Sequence, residues 1–445
     1  MAPADGTQTA KLATDASLNV LLIIGDDIGV DILSGYEEQP NYAAQTPRLD
    51  QFAEQGVLFR NTWANAVCSP TRASILTGRY AFRHGVTYTG GATAELSQSE
   101  ETVAEILSRT AYKSALFGKW HLGNSEGSLP TDNGFDYFSG SISNLDDYFN
   151  WTKTQASAPE SVATSITETR YASDVISVEA ADWIAQQSGP WFVTLGFNAP
   201  HSPFHVPPID SYQSYALSGD VGDACNNASA DDNSSCYRAA VEAMDFYIGR
   251  LIDSLNEDTL AKTIVIFVGD NGTPSSVIIE EAGLPFVRGH GKDTMYEGGV
   301  NVPMIIWGGA QTGVDHGQIA AKVIVQDLFS TIVELAGQSP SASITIDGQS
   351  LLGYLDDETD APAERDIQYS ELFSENQSID RWAITDGQAK FISNDGVSEC
   401  YDLLNDAAES NNLIENENGN ESQTKQLCEQ LELQRPCTSI ASFIR

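Results

Sequence analysis

The chain has 445 residues, of which 41% are apolar, and its 23 Lys and Arg against 62 Asp and Glu give a net charge of −39. This length and apolar content predict a large domain with a smaller one and exclude global disorder. A field of this sign disfavours binding to nucleic acid or anionic membranes, so any site for an anionic ligand must be a local positive pocket. No stretch reaches the roughly 18 to 20 apolar residues of a membrane span.

Short apolar runs alternate with helical patterns along the first 355 residues. The predicted strands are Leu18–Gly25, KSALFG before Lys119, Trp191–Gly196, Thr263–Gly269 and Val302–Trp307. The predicted helices are Thr102–Arg109, Ala172–Gln187 and Tyr237–Leu255. Runs that are apolar throughout are typical of strands buried on both faces, so we predict an α/β fold with a large, mostly parallel sheet sandwiched by helices.

The pattern changes after Ser350. A polar stretch, DDETDAPAER, predicts a linker between a catalytic domain, residues 1–355, and a C-terminal α+β subdomain, residues 367–445. In the latter, RWAIT and QAKFIS flank Asp386-Gly387 and predict a hairpin, CYDLL predicts a strand, and Ser422–Leu433 predicts a helix.

The cysteines predict disulfides. Cys225 and Cys236 bracket a polar loop, and Cys428 and Cys437 bracket another short segment, whereas Cys400 lies in an apolar strand and is expected to be unpaired. Metal binding is the alternative for close pairs, but these spacings fit no zinc pattern. Disulfides favour a periplasmic or secreted protein whose signal peptide has been removed.

Adjacent oxygen-bearing side chains follow two of the predicted strands. Asp26 and Asp27 follow the first, and Asp270 and Asn271 follow Thr263–Gly269. Ligand sites of open α/β sheets lie beyond the carboxyl ends of strands, and oxygen ligands favour calcium or magnesium. Turn residues and helix N-caps are the alternative for either pair alone.

Cys68 opens the segment CSPTRASILTGR, in which Pro70 predicts the first turn of a helix and Arg72 lies one turn along. A helix N-terminus facing the thiol would favour anions, although a buried structural cysteine is the alternative.

This segment resembles the signature of the type I sulfatases, arylsulfatase-like enzymes of the alkaline phosphatase superfamily in which C-x-P-x-R directs oxidation of the cysteine to formylglycine. Further matching segments follow in the family's order: Asp26-Asp27, GKWHLG, NAPHSPF, the DNG block, GHGKDTMYEGGVNVP and CYDLLNDAAESNNL. The resemblance implies an alkaline-phosphatase-like fold and a metal, calcium expected and magnesium possible, bound by Asp26, Asp27, Asp270 and Asn271.

The resemblance also implies the catalytic roles. Cys68, as the formylglycine hydrate, supplies a hydroxyl that attacks sulfur. Around it, Arg72 and Lys119 steady the diol, Lys292 and His201 contact the sulfate and ester oxygen with His201 as acid, and His121 deprotonates the second hydroxyl.

Substrate contacts are predicted less directly. His205 and His290 stand beside the motifs, and Tyr88 is a candidate for stacking on a sugar. Ser141, or alternatively Ser143, is a candidate for a sulfate contact where the block after Gly134 diverges from the family. Tyr148 and Trp151 are also candidates for sugar stacking, and membership of the hydrophobic core is the alternative for all three aromatic residues.

Together these patterns predict a sulfatase acting on sulfated saccharides or aryl sulfates, matured by a formylglycine-generating enzyme. A phosphodiester or phosphonate monoester hydrolase on the same scaffold is the alternative. A non-catalytic sulfoglycan-binding protein is disfavoured because Lys119, His121, His201 and Lys292 are all present.

Overall fold

A ten-stranded mixed sheet forms the centre of the larger part of the chain. The computed structural model describes residues 18–36, 43–90, 94–125, 127–159, 162–213, 217, 220–223, 225, 230–278, 287–356, 361–374, 379–414 and 423–436. The strands of this part are β1 (Asn19–Gly25), β2 (Val57–Phe59), β3 (Thr62–Trp63), β4 (Lys113–Gly118), β5 (Tyr137–Gly140), β6 (Trp151–Ser157), β7 (Thr164–Glu168), β8 (Trp191–Gly196), β9 (Thr263–Gly269), β10 (Met304–Gly308), β11 (Gly317–Ile319) and β12 (Val323–Ile324).

The sheet order is β11-β2-β10-β9-β1-β8-β4-β5-β6-β7, with a separate pair of β12 and β3. Its centre is parallel, since β1 pairs in parallel with both β8 and β9. The prediction of a strand near Val302–Trp307 holds as β10, but β10 pairs antiparallel with β9 and β2. An apolar run reports burial on both faces and carries no information about strand direction.

Helices cover both faces of the sheet, as the apolar strands require. They are α1 (Pro47–Gln55), α2 (Cys68–Thr77), α3 (Ala81–His84), α4 (Val103–Leu107), α5 (Ala172–Ile184), α6 (Ala230–Ser254), α7 (Glu257–Ala261), α8 (Glu297–Val300) and α9 (Asp327–Leu335). Alternate β1 residues face opposite sides: Val20 packs in one core with α2, α4 and α9, while Leu21 packs in another with α1, α5 and α6.

A four-stranded antiparallel sheet and one helix form the C-terminal part. Its elements are β13 (Gln368–Phe373), β14 (Asp380–Thr385), β15 (Ala389–Asn394), β16 (Val397–Asp402) and α10 (Gln423–Glu432). The predicted hairpin at Asp386-Gly387 joins β14 to β15, and Asp386 Oδ1 accepts from the amides of Gln388 and Ala389. This part shares a hydrophobic core with residues near Cys68, among them Trp63 and Val67.

Two cysteine predictions were wrong, the unpaired Cys400 and the pairing of Cys428 with Cys437. Cys225 and Cys236 form the predicted disulfide, but Cys400 is bonded to Cys428. Because α10 packs against β15 and β16, it brings Cys428 to the buried Cys400, a contact that spacing along the chain cannot reveal. Cys437 lies outside the described residues, and Cys68 is the free cysteine among those described. Among the helices described, none combines the length and apolarity needed to cross a bilayer.

Candidate active site

The two pairs of oxygen-bearing residues leave neighbouring strands side by side. The register of β1 and β9 pairs Gly25 with Gly269, so the residues that follow each strand emerge together. The amide of Asp27 donates to Asp270 Oδ1 at 3.1 Å, and Asn271 Nδ2 donates to Asp27 Oδ1 at 2.8 Å. Asp26, Asp27, Asp270 and Asn271 are all buried, so the structure gathers the predicted metal ligands in one place.

Three cations neutralise the three carboxylates in this buried cluster. The closest approaches are Lys119 Nζ to Asp26 Oδ2 at 2.5 Å, Lys292 Nζ to Asp27 Oδ1 at 2.6 Å and Arg72 Nη2 to Asp270 Oδ2 at 2.8 Å. Burial opposes ionisation of Asp26, but attraction to Lys119 and the other cations holds its pKa below the usual range. Burial and the neighbouring Asp26 raise the pKa of Asp270. The buried carboxylates are thus each paired with a cation, and the acidic chain brings Arg72, Lys119 and Lys292 together at this one place.

Two buried oxygens in the cluster are suited to a metal ion. Asp26 Oδ1 and Asn271 Oδ1 have no hydrogen-bond partner among the described residues. Ligand atoms of Asp26, Asp27 and His201 lie within 4.8 Å of one another, as do those of Asp26, Cys68 and Asp270. Unpartnered buried oxygens are costly, and a hard divalent cation would satisfy them, so these residues fit such an ion.

Cys68 is the first residue of α2 and faces this cluster. The thiol is 1% exposed, and its Sγ lies 3.2 Å from His121 Nδ1. The hydroxyl of Ser69 donates to the His121 carbonyl at 2.8 Å, which joins the start of α2 to the loop after β4. Burial raises the pKa of the Cys68 thiol, so the unmodified side chain is a poor nucleophile here.

His121 is held in a constrained loop. Its φ is 60°, and the amides of Trp120 and His121 donate to the carbonyls of Ser141 and Ile142. Burial, followed by repulsion from Lys119, lowers the His121 pKa to about 2. The imidazole is therefore neutral near pH 7, with its Nδ1 facing the Cys68 side chain.

His201 and Lys292 face a cavity of about 340 Å³ that Cys68 also lines. His201 Nδ1 lies 2.7 Å from the Ser202 carbonyl, and its Nε2 lies 3.8 Å from Asp27 Oδ2. The loop is braced by Tyr148, whose hydroxyl lies 2.7 Å from the His201 carbonyl. Burial works against the charge on Lys292, but Asp27 outweighs it and raises the Lys292 pKa.

Of the four residues predicted to bind substrate, only Tyr88 lines the cavity. Ser141 is buried and donates to Asn198 Oδ1 at 3.0 Å. His205 is enclosed by aromatic rings, with Tyr148 at 4.2 Å between centroids, and burial lowers its pKa to about 4. His290 stacks on Tyr296 at 3.6 Å and lies 3.3 Å from the Ala408 carbonyl.

The other candidate stacking residues, Tyr148 and Trp151, are 2% and 4% exposed and belong to the core. The cavity is instead lined by four polar residues that sequence reasoning missed: Thr89, Asn144, Ser275 and Asp293. Two of them could have been found from the sequence, because Thr89 directly follows Tyr88 and Asp293 directly follows Lys292.

The sulfatase family profile matches residues 18–338, which is most of the chain. The chain belongs to the sulfatase family. It is 31% identical over 364 residues to human N-acetylgalactosamine-6-sulfatase. The aligned region covers 75% of this chain and 65% of the human protein. It is 29% identical over 380 residues to rat arylsulfatase G, covering 74% and 67%. The chain thus spans about two thirds of the length of these relatives.

Several solved structures share the fold. A structure titled Ps i-CgsB matches with a TM-score of 0.75 at 22% identity, covering 94% of this chain and 92% of that one. BT4656, solved with its substrate D-glucosamine-2-N,6-O-disulfate, matches with a TM-score of 0.71 at 21% identity, covering 94% and 98%. The phosphonate monoester hydrolase of Agrobacterium radiobacter matches with a TM-score of 0.69 at 20% identity, covering 94% and 95%. At these identities the likeness concerns the fold alone.

Proposed function

We propose that this sulfatase-family protein hydrolyses sulfate esters of carbohydrates, using formylglycine made from Cys68 and one bound divalent metal. The observation that carries the proposal is the 3.2 Å approach of Cys68 Sγ to His121 Nδ1, beside two buried oxygens without partners. The relatives named N-acetylgalactosamine-6-sulfatase favour sulfated carbohydrates as substrates.

The metal ligands in the proposal are Asp26, Asp27, Asp270 and Asn271, with calcium preferred over magnesium. The ligand set is rich in carboxylate and amide oxygens, which suits either ion, and calcium tolerates less regular geometry. Bound there, the metal supplies positive charge for the sulfuryl oxygens.

One hydroxyl of the formylglycine hydrate attacks sulfur as the bond from sulfur to the ester oxygen breaks, and the proton that it loses balances the one that His201 gives to that oxygen. Deprotonation of the second hydroxyl then re-forms the aldehyde and expels sulfate. His121, neutral and 3.2 Å from Cys68 Sγ, accepts the second proton. Arg72 and Lys119 fix Asp270 and Asp26 around this position.

At the cavity, the ammonium of Lys292 binds the sulfate, while His201 Nε2 protonates the departing ester oxygen. Both side chains line the same cavity, whose other walls include Tyr88 and Asn144. Preorganised cations of this kind stabilise charge that develops in the transition state.

Two disulfides support an oxidising compartment, and we propose that the protein is periplasmic or secreted. The formylglycine-generating maturation enzyme is then a required partner.

Turnover of 4-nitrophenyl sulfate against 4-nitrophenyl phenylphosphonate and bis(4-nitrophenyl) phosphate tests the proposal. A higher kcat/KM for the sulfate ester is expected. A preference for the phosphonate or the phosphodiester would favour the alternative hydrolase. If the sulfate ester is preferred, a panel of saccharides sulfated at defined positions identifies the natural linkage.

A further inference from the structure

The C-terminal part of the chain holds the segment that carries Lys292. We call residues 290–297 the Lys292 segment. On one side of Lys292, His290 Nδ1 lies 3.3 Å from the Ala408 carbonyl. On the other side, Arg381 Nη1 donates to the Asp293 carbonyl at 3.0 Å. Lys292 is therefore flanked by contacts from the C-terminal sheet and the loop after it.

The far end of the Lys292 segment is fixed by a buried ionic cluster. The Glu297 amide donates to Glu409 Oε2 at 2.5 Å. Lys390 Nζ lies 2.9 Å from Glu297 Oε1 and 2.8 Å from Glu409 Oε1, and 4.8 Å from the centre of the Trp63 ring. Lys390 is fully buried and Glu409 is 2% exposed. Lys390 pairs with both carboxylates, and Glu409 also accepts from the Glu297 amide, so these three side chains tie the far end of the segment to β15 and to the loop after β16.

The larger part of the chain holds the middle of the segment. The Lys292 amide donates to the Thr273 carbonyl and the Asp293 amide to the Ala66 carbonyl, each at 2.9 Å. These bonds fix two amides in the middle of the segment, and the contacts from the C-terminal part add to them at both ends. The position of the Lys292 ammonium, 2.6 Å from Asp27 Oδ1, therefore depends on both parts of the chain.

We propose that Glu409 and Lys390 are positioning residues for sulfate binding, acting through the backbone of the Lys292 segment. The inference rests on the proposed function of Lys292 as the group that binds the sulfate. Neither residue lines the cavity, so neither touches substrate. A displacement of about 1 Å at a reacting centre can cost on the order of 100-fold in rate, which makes such support measurable.

Glu409→Ala tests the proposal, with kcat/KM for 4-nitrophenyl sulfate expected to fall about 10-fold to 100-fold. Glu409→Gln retains an oxygen for the Glu297 amide and is expected to restore part of the loss. Samples are compared at equal formylglycine and metal content, well below their unfolding temperatures. A lower Tm with unchanged kcat/KM would assign the cluster to stability alone and overturn the proposal.

Arg365→Gln is the matched control. It breaks the buried Arg365–Asp327 ion pair at 2.5 Å, which does not contact the Lys292 segment. Its Tm is expected to fall, because a buried ion pair is lost. Its kcat/KM is expected to stay within about 2-fold of wild type, because the ion pair lies away from the Lys292 segment. An equal activity loss in this control would attribute the effect to general loosening and contradict the proposal.

A double-mutant cycle with Lys292→Ala locates the effect. If Glu409 acts through Lys292, Glu409→Ala adds little to the loss already caused by Lys292→Ala, whereas additive losses would contradict the inference. Calorimetric binding of inorganic sulfate gives a readout that needs no turnover, with about 10-fold weaker binding expected in Glu409→Ala. An inactive wild-type protein would thus count against the proposed function, and unchanged sulfate binding against the positioning role.

Discussion

Asp26 and Asn271 each hold one buried oxygen that no described donor reaches. If that environment exists to bind a divalent cation, Asp26→Ala should remove the metal, while wild type holds about one ion per chain. Wild type should also gain stability with added calcium, by about 3 to 4 kcal/mol at 100 to 1,000 times Kd, and Asp26→Ala should not.

Elemental analysis and thermal unfolding with and without calcium measure both effects. Asp245→Asn is the control, because Asp245 is also a buried carboxylate, but it accepts from the amides of Arg48 and Leu49 outside the site. Undiminished metal occupancy in Asp26→Ala would contradict the assignment of this ligand.

The buried His84 makes the stability of the protein depend on pH. Its ring is buried, accepting from the Val86 amide at Nδ1 and lying 3.1 Å from Ser74 Oγ at Nε2, and burial lowers its pKa to about 3. The unfolded chain binds this proton near pH 6.5, so the contribution to stability is full above that pH and is lost as the pH falls toward 3.

At pH 5 the loss from His84 amounts to about 2 kcal/mol relative to pH 7.5. Denaturant unfolding at both pH values should therefore show a smaller drop for His84→Gln than for wild type. The comparison between the two proteins removes the effect of the carboxylates common to both. Parallel pH dependence in wild type and variant would show that His84 is not buried in neutral form.

The sequence grouped the proposed catalytic residues better than the proposed substrate contacts. Cys68, Lys119 and His121 stand in segments that resemble the family's motifs, and the structure brings them together. His290, only two residues from Lys292, points instead toward Tyr296 and the Ala408 carbonyl. Which side of a loop a ring faces depends on packing from distant residues, and neither motif nor spacing contains that information.

At the scale of elements, the loop that carries Lys119 and His121 begins at Gly118, the last residue of β4. Gly118 has φ 93°, and a Cβ there would overlap the Gly196 carbonyl oxygen of β8. Gly118→Ala should therefore destabilise the protein and displace Lys119, lowering kcat/KM as well as the free energy of unfolding.

Gly85→Ala is the control that separates the backbone strain of a positive φ from the steric overlap of the added Cβ. Gly85 has φ 79° but nothing within 4 Å of the added Cβ, so its cost should be limited to about 1 kcal/mol of backbone strain. Gly118→Ala should cost more than this in denaturant unfolding. Equal costs with normal activity in both variants would contradict the close approach of β4 and β8.

The positions of the central strands could be predicted from the sequence, but the direction of β10 and the pairing of Cys400 could not. β1, β8 and β9 were located by their apolar residues, because strands buried on both faces have no polar alternation. The antiparallel direction of β10 and the Cys400–Cys428 bond depend on how distant segments pack, which a local pattern does not encode.

At the scale of the whole molecule, a net charge of −39 should repel an anionic substrate before it reaches Lys292 in the cavity. Raising NaCl from about 0.05 M to about 0.5 M shortens the screening length to a few ångströms. The kcat/KM for 4-nitrophenyl sulfate should then rise, mainly through a lower KM. A steady fall in kcat/KM as NaCl rises, at constant metal content, would show that attraction by the local cations dominates instead.

The conversion of Cys68 is the claim on which the mechanism depends. The buried thiol has a raised pKa and stands 3.2 Å from a neutral histidine, an arrangement that makes the unmodified cysteine a poor catalyst. Production with and without a formylglycine-generating enzyme gives samples that differ at this residue alone. Cys68→Ala, which should fold and retain its metal, is the inactive reference.

The most direct measurement is intact-peptide mass spectrometry of the segment containing Cys68, paired with turnover of 4-nitrophenyl sulfate in the same samples. Turnover is expected to rise in proportion to the fraction of Cys68 in which sulfur has been replaced by the aldehyde oxygen. Full turnover in a sample containing only unmodified Cys68 would contradict it.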